Sequence, residues 1–329
     1  MTPQREPDSI TLDDVVAARK RLDGVVPRSP MIRLEAASDR ELYLKLENLQ
    51  PIRSFKLRGA LNAMAQLTPT ALAAGVYTAS AGNMAQGLAW AARRLGVPCT
   101  VVCPEGAPKT KLEATRRLGA DVILLPYDEW WNILASHRYA PLEPATFVHP
   151  VSDVAMMAGN GTIGLEILDD LPEVDAVLVP FGGGGLSCGI AAAVRGLKPE
   201  ARVYGCEVET AAPLAAALAA GRAVECPRTP TFVDGIGART MLVEMWPAAR
   251  RLLTGSLVVS LDEVASAIRT LIERAAVVAE GAGGASVAAG LKGLGGRGRV
   301  VCVVSGGNID LSVLATILTG AMPAEPSGR

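Results

Sequence analysis

Short apolar runs alternate along the chain with stretches whose apolar residues recur at helical spacing. Brief runs rich in Val, Leu and Ile, bounded by Gly, Pro or polar residues, predict strands at 42–46, 76–79, 99–103, 121–125, 146–148, 176–179, 203–208 and 300–304. Helical spacing predicts helices at 84–95, 111–118, 161–171, 187–197, 213–220 and 261–278, with another helical segment around Trp130 and Trp131. Such alternation, with short connections, predicts parallel sheets with right-handed crossovers.

Two further helices are predicted near the start of the chain. The first begins at Thr11, where Asp14 completes a capping-box pattern. The second has Ser54 as its predicted N-cap and apolar residues at Leu57, Ala60, Leu61 and Met64, so that Lys56 falls in its first turn. The positive potential at a helix start, together with partial burial, should lower the pKa of this lysine. A neutral amine is a nucleophile toward carbonyl carbon; the alternative is a solvated lysine on a helix face.

Composition narrows the class of protein. The 329 residues are 50% hydrophobic and only 4% aromatic, which suits an α/β fold with parallel strands buried on both faces. The predicted organisation is one large domain, residues 1–74 and 148–329, with a small α/β domain at 75–147 inserted into it. A formal net charge of −1 gives no field that would attract nucleic acid or an anionic membrane.

Targeting and metal signals are weak. No apolar run reaches membrane-spanning length and the first residues lack a secretory signal, so a cytoplasmic protein is expected. Six cysteines are scattered without zinc-like spacing, and only two histidines are present. The cysteines are therefore expected to be reduced and mostly buried, and no metal site is predicted.

Three Gly-rich loops follow predicted strands. Residues 182–185 are four consecutive glycines between an apolar strand and a helix, an arrangement in which backbone N–H groups converge on a phosphate. This run has neither G-x-G-x-x-G spacing nor a G-K-[ST] ending, so a dinucleotide or nucleoside triphosphate is not favoured; the alternative is a tight packing turn. The loops 80–83 (Ser-Ala-Gly-Asn) and 305–308 (Ser-Gly-Gly-Asn) end two other strands and could bind a carboxylate and offer a hydroxyl. With Lys56, these loops make the set that pyridoxal 5'-phosphate requires: an amine, a phosphate cradle, an anion loop and a hydrogen-bonding hydroxyl.

The lysine segment and the three loops together resemble the motifs of a known enzyme family. Residues 47–60 resemble the lysine segment of the serine/threonine dehydratase and serine racemase family, which are fold-type II pyridoxal-phosphate enzymes. The three loops match other signatures of that family in the same order, and 158–162 and 234–235 also look similar. The resemblance implies an α/β fold of the tryptophan-synthase-β type, with two parallel-rich sheets, and an expected homodimer.

The resemblance also implies roles for individual residues. Lys56 would form the Schiff base with the cofactor and act as the base on the substrate Cα. Phe55 would pack beside the ring, Asn83 would hydrogen-bond its 3-oxygen and Ser305 would face the pyridine nitrogen. The phosphate would be held by Gly182, Gly183, Gly184, Gly185 and Leu186. The substrate carboxylate would be bound by Ser80, Ala81, Gly82 and Asn83.

The implied reaction is β-elimination. L-threonine, L-serine or a related 3-hydroxy amino acid would give a 2-keto acid and ammonia, as in ammonia-lyases. A hydroxyl beside the pyridine nitrogen weakens the electron sink and suits elimination. The resemblance also implies that racemases of the family have a serine at the position of Ala81, which acts as a second acid or base. Alanine cannot do this, so Ala81 favours a lyase.

Several positions depart from the family pattern. Arg53 and Met84 stand where glycine and histidine are usual, and Asn160 where glutamine is usual. Glu207 matches a metal-ligating acid of family members, but Pro213 replaces the expected aspartate, which argues against a dedicated metal. Arg53 could bind a second substrate carboxylate, as in a hydroxyaspartate, or be solvated. Two other functions stay open: another lyase or β-replacement enzyme, and a non-catalytic regulatory protein that binds the cofactor.

Overall fold

The computed structural model describes residues 5–35, 40–107 and 109–324. Its strands are β1 (Met31–Leu34), β2 (Glu41–Leu46), β3 (Val76–Ala79), β4 (Cys99–Pro104), β5 (Asp121–Leu125), β6 (Thr146–Phe147), β7 (Ala176–Pro180), β8 (Arg202–Val208), β9 (Gly255–Val259) and β10 (Arg299–Val304). Its α-helices are α1 (Leu12–Leu22), α2 (Lys56–Met64), α3 (Pro69–Ala73), α4 (Asn83–Leu95), α5 (Lys109–Arg117), α6 (Tyr127–Ser136), α7 (Val154–Asp170), α8 (Gly185–Leu197), α9 (Pro213–Ala220), α10 (Trp246–Leu252), α11 (Leu261–Ala275), α12 (Gly281–Lys292) and α13 (Leu311–Leu318).

The strands form two parallel-rich sheets, as predicted. The larger has the order β1-β2-β10-β7-β8-β9, in which only the edge pair β1–β2 is antiparallel. The smaller has the order β5-β4-β3-β6 and is parallel throughout. All four of its strands lie between residues 76 and 147, inside the interval predicted for the small domain. The domain boundaries themselves stay a prediction.

Helices cover both faces of the larger sheet, which explains its continuous apolar strands. Val177 packs in the core beneath α1, α7, α8 and α10, whereas the next residue, Leu178, packs in the core beneath α11 and α12. A third core joins α2 and α4 to the smaller sheet. Helices α2 and α4 pack closely, since a Cβ at Gly87 on α4 would lie 3.0 Å from the backbone of Lys56 on α2.

Most predicted elements are present, but several boundaries were wrong. Helix α7 begins at Val154, capped by Asp153, and not at 161. The glycines that hid its first turns permit close packing: a Cβ at Gly159 would lie 2.5 Å from the carbonyl oxygen of Arg58 on α2. The Gly-rich helix α12 was not predicted, nor were β1, β9, α3, α10 and α13. Helix α11 ends at Ala275, before the predicted 278.

Two local predictions at helix starts have different outcomes. The capping box of α1 is confirmed, since Thr11 and Asp14 exchange side-chain and backbone hydrogen bonds. Ser54 is not the N-cap of α2, because Phe55 occupies that position and adopts helical angles. The Ser54 hydroxyl nevertheless accepts a hydrogen bond from the Lys56 N–H at 3.4 Å. Lys56 lies in the first turn, as predicted.

Trp130 and Trp131 make different contacts, and the six cysteines differ in burial. Trp130 packs against the core on the outer face of the smaller sheet, whereas Trp131 stacks on Tyr127 at 6.4 Å between ring centroids. All six cysteines are free; five are buried and Cys226 is half-buried. Over the described part of the chain, no helix is long and apolar enough to cross a membrane.

Candidate active site

Lys56 is the first residue of α2, and it is half-buried. Its Nζ donates a hydrogen bond to the carbonyl oxygen of Pro150 at 2.7 Å and lies 5.2 Å from the Phe55 ring centroid. Burial of the amine lowers the pKa of Lys56 from 10.5 to about 8. A substantial fraction of this amine is therefore neutral near physiological pH, which is the form that attacks a carbonyl carbon.

The four glycines form the turn from β7 into α8. A Cβ at Gly183 would lie 2.6 Å from the Val151 side chain, and one at Gly185 would overlap the carbonyl oxygen of Val151. Gly184 has φ 98°, a conformation that side chains rarely adopt. Glycine is therefore required here, and the turn presents only backbone. The first N–H groups of α8 have no intrahelical partners, so they are available to an anion.

Asn83, the first residue of α4, joins two other loops. Its Nδ2 donates to Glu280 Oε1 at 2.7 Å, and its Oδ1 accepts from Asn308 Nδ2 at 2.8 Å. The loop 80–83 is held by the Gly82 N–H, which donates to Ser80 Oγ at 3.2 Å. Ser80, Ala81 and Gly82 in this loop are all half-buried. The predicted carboxylate loop and the 305–308 loop thus meet through Asn83.

Backbone hydrogen bonds join the lysine segment to the end of β10. The Phe55 N–H donates to the Ser305 carbonyl oxygen at 3.1 Å, and the Gly307 N–H donates to the Arg53 carbonyl oxygen at 2.9 Å. Arg53 is exposed and has φ 56°. That left-handed conformation explains physically why glycine suits this position and why arginine is strained there.

Glu280 was not predicted as part of the site. It lies at the start of α12, and its pKa is raised to about 7 by burial and by the nearby charge of Asp234. A Cβ at Gly306 would lie 2.5 Å from Glu280 Oε1, so the carboxyl packs directly on the 305–308 loop. Glu280 is therefore a carboxyl group that is partly protonated near neutral pH and hydrogen-bonded to Asn83.

Replacing Glu280 with glutamine is expected to flatten the pH dependence of stability. The folded pKa of about 7 exceeds the ordinary value near 4.5, so the folded protein binds more protons between these values and stability falls as pH rises through this window. Over that range the wild type should lose up to about 3 kcal/mol of unfolding free energy through this group. Urea titrations from pH 5 to pH 8 measure the slope. The surface variant Glu200→Gln should keep the wild-type slope, and equal slopes in all three proteins would contradict the assignment.

A buried network of four charged side chains connects α2, through Arg58, to α7 and to the end of β2. Arg58 Nε and Nη2 donate to Glu47 at 2.8 Å each, and its Nη1 and Nη2 donate to Glu166 at 2.6 and 3.0 Å. Lys45 Nζ lies 2.6 Å from Glu166 Oε2. These residues are almost fully buried, and their two positive and two negative charges balance. The two carboxylates raise the pKa of Arg58 against the opposing effect of burial.

The acidic residue considered for a metal has another role. Glu207 accepts hydrogen bonds from the N–H groups of Leu214 and Ala215, at 2.7 and 2.9 Å, and from Ser256 Oγ at 2.6 Å. Both of its oxygens therefore bind the start of α9 and β9. In the part of the chain that is described, the one His/Cys/Asp/Glu cluster with metal-like spacing is His137, His149 and Glu244. His149 Nδ1 accepts hydrogen bonds from the N–H groups of Val151 and Ser152.

These features fit a pyridoxal phosphate. The amine of Lys56 has a lowered pKa, and the glycine turn excludes side chains as a phosphate cradle must. Several of the predicted residues are neighbours in the structure: Phe55, next to Lys56, donates its N–H to the Ser305 carbonyl oxygen, and Asn83 lies beside the same 305–308 loop. Sequence reasoning missed Glu280, Glu47, Arg58 and His149. Charged residues inside an otherwise apolar strand and helix, such as Lys45 and Arg58, were the available signal for the buried network.

Comparisons with known proteins identify the family of this chain. Residues 22–306 match the family described as pyridoxal-phosphate dependent enzyme. The L-threonine ammonia-lyase of Thermotoga maritima is 42% identical over 315 residues, covering 94% of this chain and 78% of that protein. The catabolic L-threonine dehydratase TdcB of Escherichia coli is 38% identical, covering 96% and 98%. The structure of maize serine racemase superimposes with a TM-score of 0.86 at 30% identity, covering 95% and 98%. The chain therefore belongs to the family of pyridoxal-phosphate dependent enzymes.

Proposed function

We propose that this protein is an ammonia-lyase that acts on L-threonine, L-serine or a related 3-hydroxy amino acid. Loss of the Cα proton and the Cβ hydroxyl releases water, and the resulting enamine tautomerises and is hydrolysed to a 2-keto acid and ammonia. Pyridoxal phosphate, when bound, supplies the electron sink for the bonds at Cα. The homodimer and the cytoplasmic location stay predictions.

The chain's own residues divide the work. Lys56 would hold the cofactor through its amine, and the same amine would take the proton from the substrate Cα. The backbone of Gly182, Gly183, Gly184, Gly185 and Leu186 would bind the phosphate at the start of α8. Ser80, Gly82 and Asn83 orient the substrate carboxylate at the start of α4, where the helix dipole favours an anion. Ser305 would hold the ring nitrogen, and Phe55 would pack beside the ring.

The observation that carries this proposal is the Lys56 amine, whose pKa is lowered and whose hydrogen-bond partner Pro150 directly precedes Val151, the residue that packs on the glycine turn. The relatives named as threonine ammonia-lyase and dehydratase support the choice of substrate class. The likeness to a serine racemase makes racemisation the main competitor. Ala81 favours elimination over racemisation because a methyl group cannot exchange a proton on the second face of the substrate.

The proposal is tested by incubating the cofactor-loaded protein with L-threonine and with L-serine. We expect release of 2-keto acid and an equal amount of ammonia, with little D-serine formed. Faster formation of D-serine than of keto acid would identify a racemase instead. Cofactor binding without turnover of any 3-hydroxy amino acid would favour the regulatory alternative.

A second candidate substrate is 3-hydroxyaspartate, because Arg53 keeps a strained backbone beside the site. A non-glycine residue with φ 56° costs about 1–2 kcal/mol, and such strain is often retained for function. An exposed guanidinium here could pair with a second carboxylate.

Replacing Arg53 with glycine is expected to stabilise the protein and change its substrate preference. Relief of the left-handed strain should add about 1 kcal/mol to the unfolding free energy, because glycine adopts this φ without steric cost. The ratio of kcat/KM for 3-hydroxyaspartate to that for threonine should fall at least about tenfold if the ion pair forms. Arg53→Ala serves as the control that removes the guanidinium and keeps the strain. An unchanged ratio in both variants would assign Arg53 to solvent.

A further inference from the structure

His149 lies where the chain leaves the smaller sheet and turns toward α7. It is 1% exposed, and its ring makes hydrogen bonds on both sides. Nδ1 accepts from the N–H groups of Val151 at 3.1 Å and Ser152 at 2.9 Å. Because these donors require a lone pair on Nδ1, the ring proton is on Nε2, which lies 3.3 Å from the carbonyl oxygen of Leu134 on α6. Burial and the neighbouring His137 lower the pKa of His149 to about 3, so this neutral tautomer persists at working pH.

The turn that His149 holds, residues 149–152, touches two parts of the site through consecutive residues. The carbonyl oxygen of Pro150 accepts the hydrogen bond from Lys56 Nζ at 2.7 Å. Val151 packs against Gly183 and Gly185, where it occupies the space that their side chains would need. One short turn therefore determines the position of the amine and supports the glycine turn.

The hydrogen bonds to Nδ1 determine the shape of this turn. Two successive N–H groups that point at one acceptor restrict the backbone of Val151 and Ser152. Ser152 Oγ adds a third contact to Nδ1 at 2.9 Å. Without that acceptor, both N–H groups would lose their partner, that of Ser152 in a buried position, and the turn would have to reorient to pair them.

We propose that His149 is a positioning residue, whose Nδ1 holds the 149–152 turn so that Pro150 orients the Lys56 amine and Val151 supports the phosphate-binding glycines. This inference rests on the proposed role of Lys56 as the cofactor lysine. It assigns to His149 a task that packing volume alone does not require: an acceptor at the Nδ1 position.

Two amide variants separate an acceptor role from a packing role. The side-chain oxygen of asparagine reaches about where Nδ1 lies, whereas glutamine carries its amide to the Nε2 end of the ring. His149→Asn should therefore keep the turn, and His149→Gln should lose it although it preserves more of the volume. Circular dichroism and urea unfolding of both cofactor-free proteins establish that they are folded.

The decisive measurement is affinity for pyridoxal phosphate relative to pyridoxal, titrated by absorbance into each cofactor-free protein. Because Val151 supports the phosphate site, His149→Gln should reduce the preference for the phosphorylated form about tenfold, and turnover about 10²-fold, as a misplacement near 1 Å does. His149→Asn should rescue both quantities to within about threefold of wild type.

The outcomes decide the proposal. An asparagine variant that is unfolded, or no better than the glutamine variant in both measurements, overturns it. A glutamine variant with wild-type preference for pyridoxal phosphate also overturns it. If the wild type binds the cofactor through Lys56 but turns over no amino acid, the proposed function fails while the affinity ratio still tests His149.

Discussion

Lys56→Ala is expected to abolish 2-keto acid release, with a loss of at least about 10³-fold in kcat. The variant lacks both the covalent attachment of the cofactor and the amine that takes the Cα proton. It should also lose the absorbance band that pyridoxal phosphate acquires on binding covalently to a lysine. The urea midpoint should change little, because Lys56 Nζ contributes only one hydrogen bond, to the Pro150 carbonyl oxygen.

A matched control for this variant is Lys292→Ala. Lys292 is a half-exposed lysine at the end of α12 that pairs with Glu263 at 2.6 Å, and it is remote from the candidate site. Its replacement should keep both the absorbance band and the turnover. Retention of the band and of turnover in Lys56→Ala would mean that another residue binds the cofactor, and the assignment of the site would fail.

Arg58→Met is expected to cost about 3–5 kcal/mol of unfolding free energy. Methionine fills much of the space, but it leaves the carboxylates of Glu47 and Glu166 buried with only Lys45 as a cationic partner. The attraction is lost while the desolvation of both acids persists. Urea titration at pH 7 measures the effect, which should be larger than that of any single change on the surface.

The control for Arg58 is an arginine whose ion pair is exposed. Arg138 pairs with Glu143, and the two side chains are 66% and 46% exposed. Arg138→Met should therefore change the unfolding free energy by less than about 1 kcal/mol. Similar costs for the two variants would show that the buried network does not stabilise the fold, and that packing alone supports α2.

Much of the architecture could be predicted because its signals are local. Apolar runs such as 176–179 and 300–304 have no polar face, so they had to be strands buried on both sides. Helix α12 was hidden because its glycines lower helix propensity. It forms nevertheless, since its buried small residues pack against α11 and the larger sheet. Tertiary packing therefore overrides propensity where close approach is needed.

The candidate site was predictable in part for a similar reason. Lys56 and the glycines can be recognised from short local motifs. The resemblance to a known family added the predicted roles of Asn83 and Ser305. Glu280 could not be placed, because its role depends on a contact with a residue far along the chain. His149 makes its Nδ1 contacts within its own turn, but that turn reaches the site only because Pro150 accepts a hydrogen bond from Lys56, 94 positions away. Glu280 meets Asn83 across 197 positions. Only the fold makes these residues neighbours.

The arrangement of the thiols makes the protein convenient for labelling. Five cysteines are buried, with the pKa of Cys99, Cys103, Cys188 and Cys302 raised to about 12, so alkylating dyes should leave them unmodified in the folded state. Cys226 alone is half-buried, and it lies on the irregular segment that also contains Asp234, the partner of Lys111 on α5. A single fluorophore can thus be attached without mutagenesis, on the same segment that contacts α5 through Asp234. Its emission would report on changes in this segment when an amino acid is added.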